Sequence, residues 1–316
     1  MSIRNRGPNK ESNVIVEEKD TTKKKGMRSL YYYHELDEWQ QDNHYIKSGY
    51  VKETGLIRDC FELLLYVHNE TGNIYSHLLP SLSLMGFLLW YINGPLEQYE
   101  NSLGIWEKLN IAQFGMAATF CMFMSSTFHC IKSHSHRVSK IGNQLDYFGI
   151  IFLITISLVS IIRFAFYDHP VVKYVFCGIS GILGGICTFI TLDPKFLSNV
   201  YRPFRLKMFI LFGLSGVLPV LTAVYMFGYS NAVARANAFW LVLEGVFYIT
   251  GAVLYAARFP ERLTHDHRKE VGHFDIWGHS HQIFHVLVVI AAWCHWKALI
   301  GSYHYLHRVT LPLMSV

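Results

Sequence analysis

The sequence has little charge and no paired cysteine motif. Only 16% of its 316 residues are charged, whereas soluble domains carry about 25%. Hydrophobic residues make up 51% and aromatic residues 15%, which indicates a chain that lives in a lipid bilayer. The six cysteines form no CxxC pair, so we interpret them as small buried side chains and not as a disulfide framework. A glycine-rich phosphate loop and an internal repeat are also missing. No apolar run lies near Met1, so we expect no cleaved signal peptide.

Long apolar windows dominate the rest of the sequence, and each can cross a bilayer, which takes about 20 residues. None alternates in the manner of a barrel strand, so helices remain the only spanning structure. The sequence therefore predicts an all-α integral membrane protein with seven transmembrane helices. The windows lie near residues 74–92, 110–131, 145–167, 171–191, 208–228, 237–257 and 280–300.

Lysine and arginine are unevenly distributed between the loops, and this bias predicts the orientation. The second, fourth and sixth loops carry eleven of them, against five in the other loops and the C-terminal flank. We therefore predict a cytosolic N-terminus and an extracytosolic C-terminus, the reverse of a G-protein-coupled receptor. The predicted organisation is a cytosolic N-terminal tail with an interfacial helix (1–70), a seven-helix membrane domain (71–300) and a short extracytosolic tail (301–316).

The predicted N-terminal region has two parts. Residues 1–29 are lysine-rich and poor in aromatics, and we expect them to be disordered. The next forty or so residues mix aromatics and charge at helix-compatible spacing. They are consistent either with an interfacial segment, whose Trp39, Tyr45 and Phe61 face lipid or the bundle, or with a solvated entry helix.

Polar residues inside membrane windows are functional hypotheses by default. Ser125 and His129 lie four residues apart near the end of the second window, and Asp146 lies at the start of the third. His281 and His285, also four apart, open the seventh, and residues at this spacing share one helix face. With the predicted orientation, all of these side chains fall near the cytosolic side.

This shared level predicts an internal zinc site near the cytosolic side. His129, His281 and His285 supply three imidazoles, and a water molecule completes the open tetrahedral arrangement of catalytic zinc. Zinc would lower the pKa of that water to about 7. Asp146 would hold the water or accept its proton, unless it only caps the N-terminus of its helix. Ser125 would hydrogen-bond the water or the reacting oxygen, or else serve only in helix packing.

Glu244 is a lone acid in the sixth window. It marks a water-filled cavity or is neutral and hydrogen-bonded, and the sequence leaves both interpretations open. A haem bound by His129 and a seventh-window histidine is disfavoured, because it leaves the third histidine and Asp146 without a role.

Several stretches resemble the PAQR family, which includes the adiponectin receptors, the membrane progestin receptors and the bacterial haemolysin III proteins. They are "FELLLYVHNETGNIYSHLLP", "SSTFHC", "LDYFGI" and "FDIWGHSHQIFHVLVVIAA", and together they extend from about residue 50 to 300. The stretches "HCIKSHSHR", "GNQLDY" and "AVLYAARFPE" are most similar to the fungal Izh members, the ADIPOR-like receptors linked to zinc homeostasis.

The resemblance implies seven helices with a cytosolic N-terminus and zinc held by His129, His281 and His285. It also implies that Asp146 lies near the metal and that Ser125 is the motif serine. Similarity to adiponectin receptors and alkaline ceramidases implies ceramide hydrolysis, and the fungal members imply roles in zinc balance and sterol or lipid metabolism at the endoplasmic reticulum. The short predicted outer loops argue against a receptor for a protein hormone.

The leading hypothesis is therefore a zinc-binding receptor-like membrane protein that hydrolyses a lipid amide such as ceramide with a zinc-bound hydroxide. Its expected partner is a membrane lipid of the ceramide or sterol class and not a nucleic acid, and its oligomeric state is not predicted. We expect the endoplasmic reticulum, with the plasma membrane as the alternative. The rival functions are a non-catalytic zinc sensor and, ranked lower, a zinc transporter. Transport needs ligands in both membrane halves, and the outer half offers only Arg163, Asp168 and His169 at one rim.

Overall fold

The computed structural model describes residues 29–92, 94, 105–266 and 268–307, and within them the chain is all-helical, as predicted. The only β-pairing in these residues is an isolated bridge between Tyr31 and Tyr50. The tail predicted to be disordered lies almost entirely outside the described residues, as do residues 308–316. The α-helices are α1 (Ile57–Glu62), α2 (Thr71–Ile92), α3 (Ile105–Ile131), α4 (His136–Ala165), α5 (Pro170–Leu192), α6 (Arg202–Leu214), α7 (Val217–Phe227), α8 (Tyr229–Ala236), α9 (Ala238–Ala257) and α10 (Ser280–Tyr305).

Six helical spans among the described residues are long and apolar enough to cross a membrane, which makes this a multi-pass membrane protein. They are α3, α4, α5, the consecutive pair α6–α7 (Arg202–Phe227), α9 and α10. The remaining predicted window, 74–92, coincides with α2. Tyr75, Ser76 and His77 lower the hydropathy of that helix, so the seventh span stays a prediction.

Two helix boundaries differ from those predicted. Helix α4 begins at His136, well before the predicted start at residue 145, because Ser135 caps it by accepting a hydrogen bond from the Val138 amide. Asp146 therefore lies inside α4, and the interpretation of this residue as a helix cap is wrong. The fifth predicted window is divided near Gly216 into α6 and α7, and the short helix α8 was not predicted.

The core lies between α3, α4 and α10. Ala117, Ala118 and Cys121 of α3 pack in one buried cluster with Leu153 of α4 and Leu299 of α10. Small side chains of this kind let membrane helices approach closely. Gly149 lies against Cys121, where a Cβ atom would come 3.1 Å from the Cys121 Cα. The close approach of α3 and α4 brings the Asp146 region of α4 beside the end of α3.

The segment before α2 folds over the end of the bundle where α3 finishes and α4 and α10 begin, which we call the histidine end. Its helical content is two 3₁₀ turns (Tyr33–Glu35 and Glu38–Gln40), the short α1 and a further 3₁₀ turn, rather than one continuous helix. The Lys47 amide and the Ser48 hydroxyl both donate to Asp275, at 2.8 and 2.6 Å. These bonds fasten the segment to the loop before α10.

Candidate metal centre

Three histidines meet at the histidine end. His129 lies in the last turn of α3, and His281 and His285 lie in the first turns of α10. One ring nitrogen of each lies within 4.8 Å of the others, and the Nε2 atoms of His129 and His281 are 3.0 Å apart. Two nitrogens bound to one tetrahedral zinc lie roughly 3.3 Å apart. The prediction that these imidazoles meet is therefore confirmed, and they are close enough to hold one metal ion.

The imidazole of His285 is oriented by α2. Its Nδ1 lies 3.1 Å from the backbone carbonyl of Asn73 and 3.2 Å from the Ser76 hydroxyl. A carbonyl only accepts hydrogen bonds, so Nδ1 carries the proton and Nε2 keeps its lone pair. The ring of His77 stacks in parallel on that of His285 at 3.8 Å between centroids, which limits rotation of the imidazole. Metal-binding histidines are typically fixed through their second nitrogen in this manner.

His129 is oriented by a carboxylate that sequence reasoning missed. The Nδ1 atom donates to Oε2 of Glu70 at 2.8 Å, while Lys132 donates to Oε1 at 2.7 Å. Burial alone would raise the pKa of the Glu70 carboxyl, but the positive charge of Lys132 and the hydrogen bonds from Lys132 and His129 hold that pKa well below its usual value. An ionised Glu70 draws the His129 proton to Nδ1 and leaves Nε2 free to bind metal.

The donor set suits a transition metal. Three neutral imidazoles, of which those of His129 and His285 are buried and that of His281 is half-buried, are borderline ligands of the type that zinc prefers. Three protein ligands leave a fourth position open. The Nε2 atoms of His129 and His281 also lie at hydrogen-bond distance from each other. Because the Nδ1 atom of His129 holds the proton of that ring, its Nε2 atom has a free lone pair. A cation placed among the three rings would use all of these lone pairs.

The fourth histidine of this region, His279, points elsewhere. Its Nε2 atom lies 3.2 Å from the backbone carbonyl of Asn69, and the residue precedes α10 as the N-cap. Although His279 is as buried as His285, it is not part of the cluster. It therefore provides a matched histidine control for experiments on the candidate ligands.

Asp146 and the metal centre share one cavity. Asp146 is buried and lines a cavity of about 470 Å³ together with His129 and His281. Ser125, one turn before His129 on α3, is also buried and lies close to Asp146. Its predicted contact with the water or with a reacting oxygen stays a prediction.

Glu261 anchors the helix that carries two of the histidines. It is 2% exposed, and its carboxylate accepts the Ser280 amide at 2.8 Å and the Ser280 hydroxyl at 2.5 Å, at the first residue of α10. The Asn43 amide of the N-terminal segment donates to the same carboxylate at 3.1 Å. A carboxylate at a helix N-terminus also interacts favourably with the helix dipole. Glu261 therefore fixes the start of α10 one residue before His281.

Glu261→Ala is expected to lower the thermal unfolding midpoint, because it leaves the buried Ser280 and Asn43 donors without an acceptor, at about 1–3 kcal/mol per group. The midpoint is measured on purified wild type and variant by intrinsic fluorescence. Glu270→Ala, an exposed acid of the same loop, is the control and should leave the midpoint unchanged. Equal midpoints for both variants would show that Glu261 does not anchor α10.

Glu70→Gln is expected to weaken zinc binding about 10–100-fold, the usual cost of losing the carboxylate partner of a metal-binding histidine. The zinc dissociation constant is measured by competition with a chromophoric chelator. Glu53→Gln removes an exposed carboxylate in the segment before α2 and is expected to leave the zinc dissociation constant unchanged. An unaltered dissociation constant in Glu70→Gln would contradict the assigned orientation of His129.

A second histidine–carboxylate pair joins α9 and α10 away from the metal centre. His295 Nδ1 lies 2.8 Å from Oε2 of Glu244, and His295 Nε2 lies 3.3 Å from the Ser160 hydroxyl. Of the two interpretations left open for Glu244, the structure supports a hydrogen-bonded side chain. Sequence reasoning missed His295, because a single histidine in an apolar window does not reveal its partner.

The fold and the site define a multi-pass helical membrane protein with a candidate metal centre at one end of the bundle. The chain belongs to the Haemolysin-III related family, whose sequence profile matches residues 65–296. The similarity extends across most of the chain, and the resemblance seen in the sequence motifs is thereby confirmed.

Fungal relatives of the family are similar over nearly their whole length. The chain is 42% identical over 284 residues to the ADIPOR-like receptor IZH2 of Saccharomyces cerevisiae, covering 90% of this chain and 87% of that protein. It is 39% identical over 280 residues to the ADIPOR-like receptor IZH1 of Eremothecium gossypii, covering 89% and 86%. The adiponectin receptor protein of Drosophila melanogaster is 37% identical over 268 residues, or 85% of this chain and 58% of that protein.

Proposed function

We propose that this protein is a zinc-dependent, receptor-like membrane hydrolase of a lipid amide, of which ceramide is the leading substrate. The observation that carries the proposal is the cluster of His129, His281 and His285, of which His129 and His281 line the cavity that Asp146 also lines. Its physiological output would be a change in zinc homeostasis and in sphingolipid or sterol metabolism. Relatives whose names describe ADIPOR-like receptors support a receptor-like role.

In this proposal the three histidines hold zinc through ring nitrogens, and neighbouring residues fix the orientation of two of the rings, His129 and His285. Bound zinc would polarise the amide carbonyl and acidify water, so that a nucleophile forms near neutral pH. Glu70 and the Asn73 carbonyl keep the protons of His129 and His285 on Nδ1, away from the ion. Both imidazoles are then available as neutral ligands without a change of tautomer.

Asp146 is proposed to move the proton. It takes a proton from water as the water oxygen bonds to the amide carbon, and it returns that proton to nitrogen as the carbon–nitrogen bond breaks. Its buried position limits exchange with bulk water, and Ser125 lies close enough to orient the carboxylate. The products are a fatty acid and an amine, and no further reactant is required.

The position of the site suits a lipid. The cavity lies at the histidine end, where α3 ends and α4 and α10 begin, so the reacting amide would lie near the interface while the acyl chain extends between helices. Phe189 of α5 is 79% exposed and Ile182 is 66% exposed, as expected for side chains that face lipid. We retain the seventh span, a cytosolic N-terminus, the three-part organisation of the chain and residence in the endoplasmic reticulum as parts of this proposal.

A non-catalytic zinc sensor is the second candidate, and one observation favours it. The ligands lie on α3 and α10, and His285 is tied to α2 through Asn73. Metal bound there would connect three helices and set their packing. Transport ranks below both functions, because His129, His281 and His285 are the only group of three clustered metal-binding side chains among the described residues.

Purified protein tested for zinc content and for release of fatty acid from labelled ceramide decides between these functions. We expect stoichiometric zinc and a release that chelation abolishes and added zinc restores. Tightly bound zinc with no release would favour the sensor. Zinc flux into sealed vesicles that contain the protein would favour transport.

A further inference from the structure

The cavity beside the metal centre is rich in charged side chains, with five lysines and arginines and four acidic residues in its lining. Its volume of about 470 Å³ falls in the usual range for small-molecule sites, about 300–1,000 Å³. The N-terminal segment closes one side of it, and His129 and His281 lie on its wall. Basic side chains from three regions of the chain line it: Lys132, Lys140, Arg202, Arg205 and Arg258. The metal centre alone does not account for these basic side chains.

Two of these basic side chains already form hydrogen bonds within the protein. Lys132 donates to Glu70 at 2.7 Å, in the network that orients His129. Arg205 is buried and donates to the backbone carbonyls of Phe196 and Ser198 and to the Tyr147 hydroxyl. These two side chains hold the walls of the cavity together.

Arg202 is different, because no residue in the described part of the chain accepts a hydrogen bond from it. Its guanidinium lies over the Tyr255 ring at 4.1 Å, and its nearest carboxylate, that of Asp42, is 3.7 Å away. The Nη2 atom is buried and lacks an acceptor. A guanidinium has five N–H donors, and a buried donor without an acceptor is costly. This donor is therefore available to an acceptor atom of a bound ligand.

Further positive charge lies on the same wall. Arg258 contacts Asp42 only at 3.3 Å through the backbone carbonyl and 3.5 Å through the carboxylate. Lys140 is exposed and has no hydrogen-bond partner among the described residues. Four acids line the same cavity. Glu70 is bound to Lys132 and His129, and Asp42 is the one carboxylate among the described residues within 4.0 Å of Arg202 or Arg258, so these two guanidinium groups share a single carboxylate.

We propose that this cavity binds a phosphate-bearing anion, with Arg202 as its main contact and Arg258 and Lys140 beside it. A phosphate monoester carries about −1.5 to −2 charge at neutral pH and offers three strong acceptor oxygens. It thus matches several donors that come from different elements. Arginine pairs with phosphate through two parallel hydrogen bonds, and the stacking of Arg202 on Tyr255 pre-orients the guanidinium plane.

The phosphate can belong to a lipid headgroup or to a soluble phosphate ester. The inference that the hydrolysed lipid amide carries a phosphorylated headgroup rests on the function proposed above. The inference that the cavity binds a phosphate-bearing anion is independent of hydrolysis.

Binding to the zinc-loaded protein in nanodiscs tests the proposal, with short-chain ceramide 1-phosphate and neutral ceramide as lipid probes and inorganic phosphate as the soluble probe. We expect ceramide 1-phosphate to bind more tightly than neutral ceramide. Its dissociation constant should rise about tenfold or more in Arg202→Gln, as expected for the loss of charge-assisted hydrogen bonds. Arg137→Gln, an exposed arginine outside the cavity, is the matched control and should not change it.

Two further variants guard against loss of fold in Arg202→Gln. Arg202→Lys keeps the charge but not the paired donors and should bind with intermediate affinity. Asp42→Asn removes the carboxylate that competes for Arg202 and Arg258 and should tighten binding. A merely structural Arg202 would produce neither result.

Each outcome decides the proposal. Arg202-dependent binding of ceramide 1-phosphate supports it with a lipid source, and Arg202-dependent binding of inorganic phosphate that displaces the lipid supports it with a soluble source. Equal affinities in wild type and Arg202→Gln, as for an anion held by zinc alone, overturn it, and so does a preference for neutral ceramide. Arg202-dependent binding without fatty-acid release would leave the inference standing and remove the hydrolase. Hydrolysis of neutral ceramide without any dependence on Arg202 would do the reverse.

Discussion

Asp146→Asn is expected to lower the rate of fatty-acid release from the lipid amide by about 10²–10⁴-fold, the usual contribution of general acid–base catalysis. Asparagine has the shape of aspartate, but it cannot take up a proton. Asp146 lies inside α4 and does not belong to the cluster of three candidate zinc ligands, so the zinc content should remain that of the wild type. Single-turnover fatty-acid release and zinc content, measured on the same samples, check this result.

The control for this variant is Asn143→Ala, one turn earlier on α4 and on the wall of the same cavity. It should retain most of the activity and all of the zinc. Undiminished release in Asp146→Asn would exclude Asp146 as the proton carrier. Loss of zinc together with activity would make Asp146 a part of the metal site instead.

His285→Ala is expected to lower zinc affinity strongly, because it removes a ligand. The loss should exceed the effect of removing a hydrogen-bond partner of a ligand, which is about 10–100-fold. Fatty-acid release should fall with the zinc content and recover only at high added zinc. Zinc is measured by mass spectrometry after dialysis against a chelator of known affinity.

His279→Ala provides the matched comparison for His285→Ala. Both residues are buried histidines at the start of α10, but His279 faces the Asn69 carbonyl and not the cluster. The His279 variant should therefore keep its zinc. Equal zinc loss in the two variants would mean that the metal is lost through damage to α10 and not through loss of a ligand.

The histidine cluster was predictable from the sequence because helix periodicity determines it. Residues four apart share a face, so His281 and His285 had to lie together on α10. The predicted orientation placed the end of the second window and the start of the seventh at one membrane level. The position of His129 then followed, and the 3.0 Å separation of His129 and His281 agrees with it.

The partners of the cluster were not predictable, because they come from segments without periodicity. Glu261 and Asn43 are 218 residues apart in the sequence, and only the folding of two irregular segments brings them together. Glu70 lies just before α2, and no spacing rule connects it with His129 on α3. Arg202 precedes an apolar window and has the pattern of an ordinary positive flank, so its role depends on the cavity around it.

The helix boundaries differed from prediction where polarity and helical structure do not coincide. Residues 136–144 are polar enough to resemble a loop, yet the Ser135 cap starts α4 there. Conversely, the residues near Gly216 are mostly apolar, yet the helix is interrupted. Hydropathy reports burial in lipid, whereas helix ends depend on local capping.

X-ray absorption spectroscopy at the zinc edge tests the central claim most directly. The purified protein should show only nitrogen and oxygen ligands at about 2.0–2.1 Å, with imidazole scattering that corresponds to three histidines and falls in His285→Ala. A spectrum with sulfur at about 2.3 Å, or one that is unchanged in His285→Ala, would contradict the site described here.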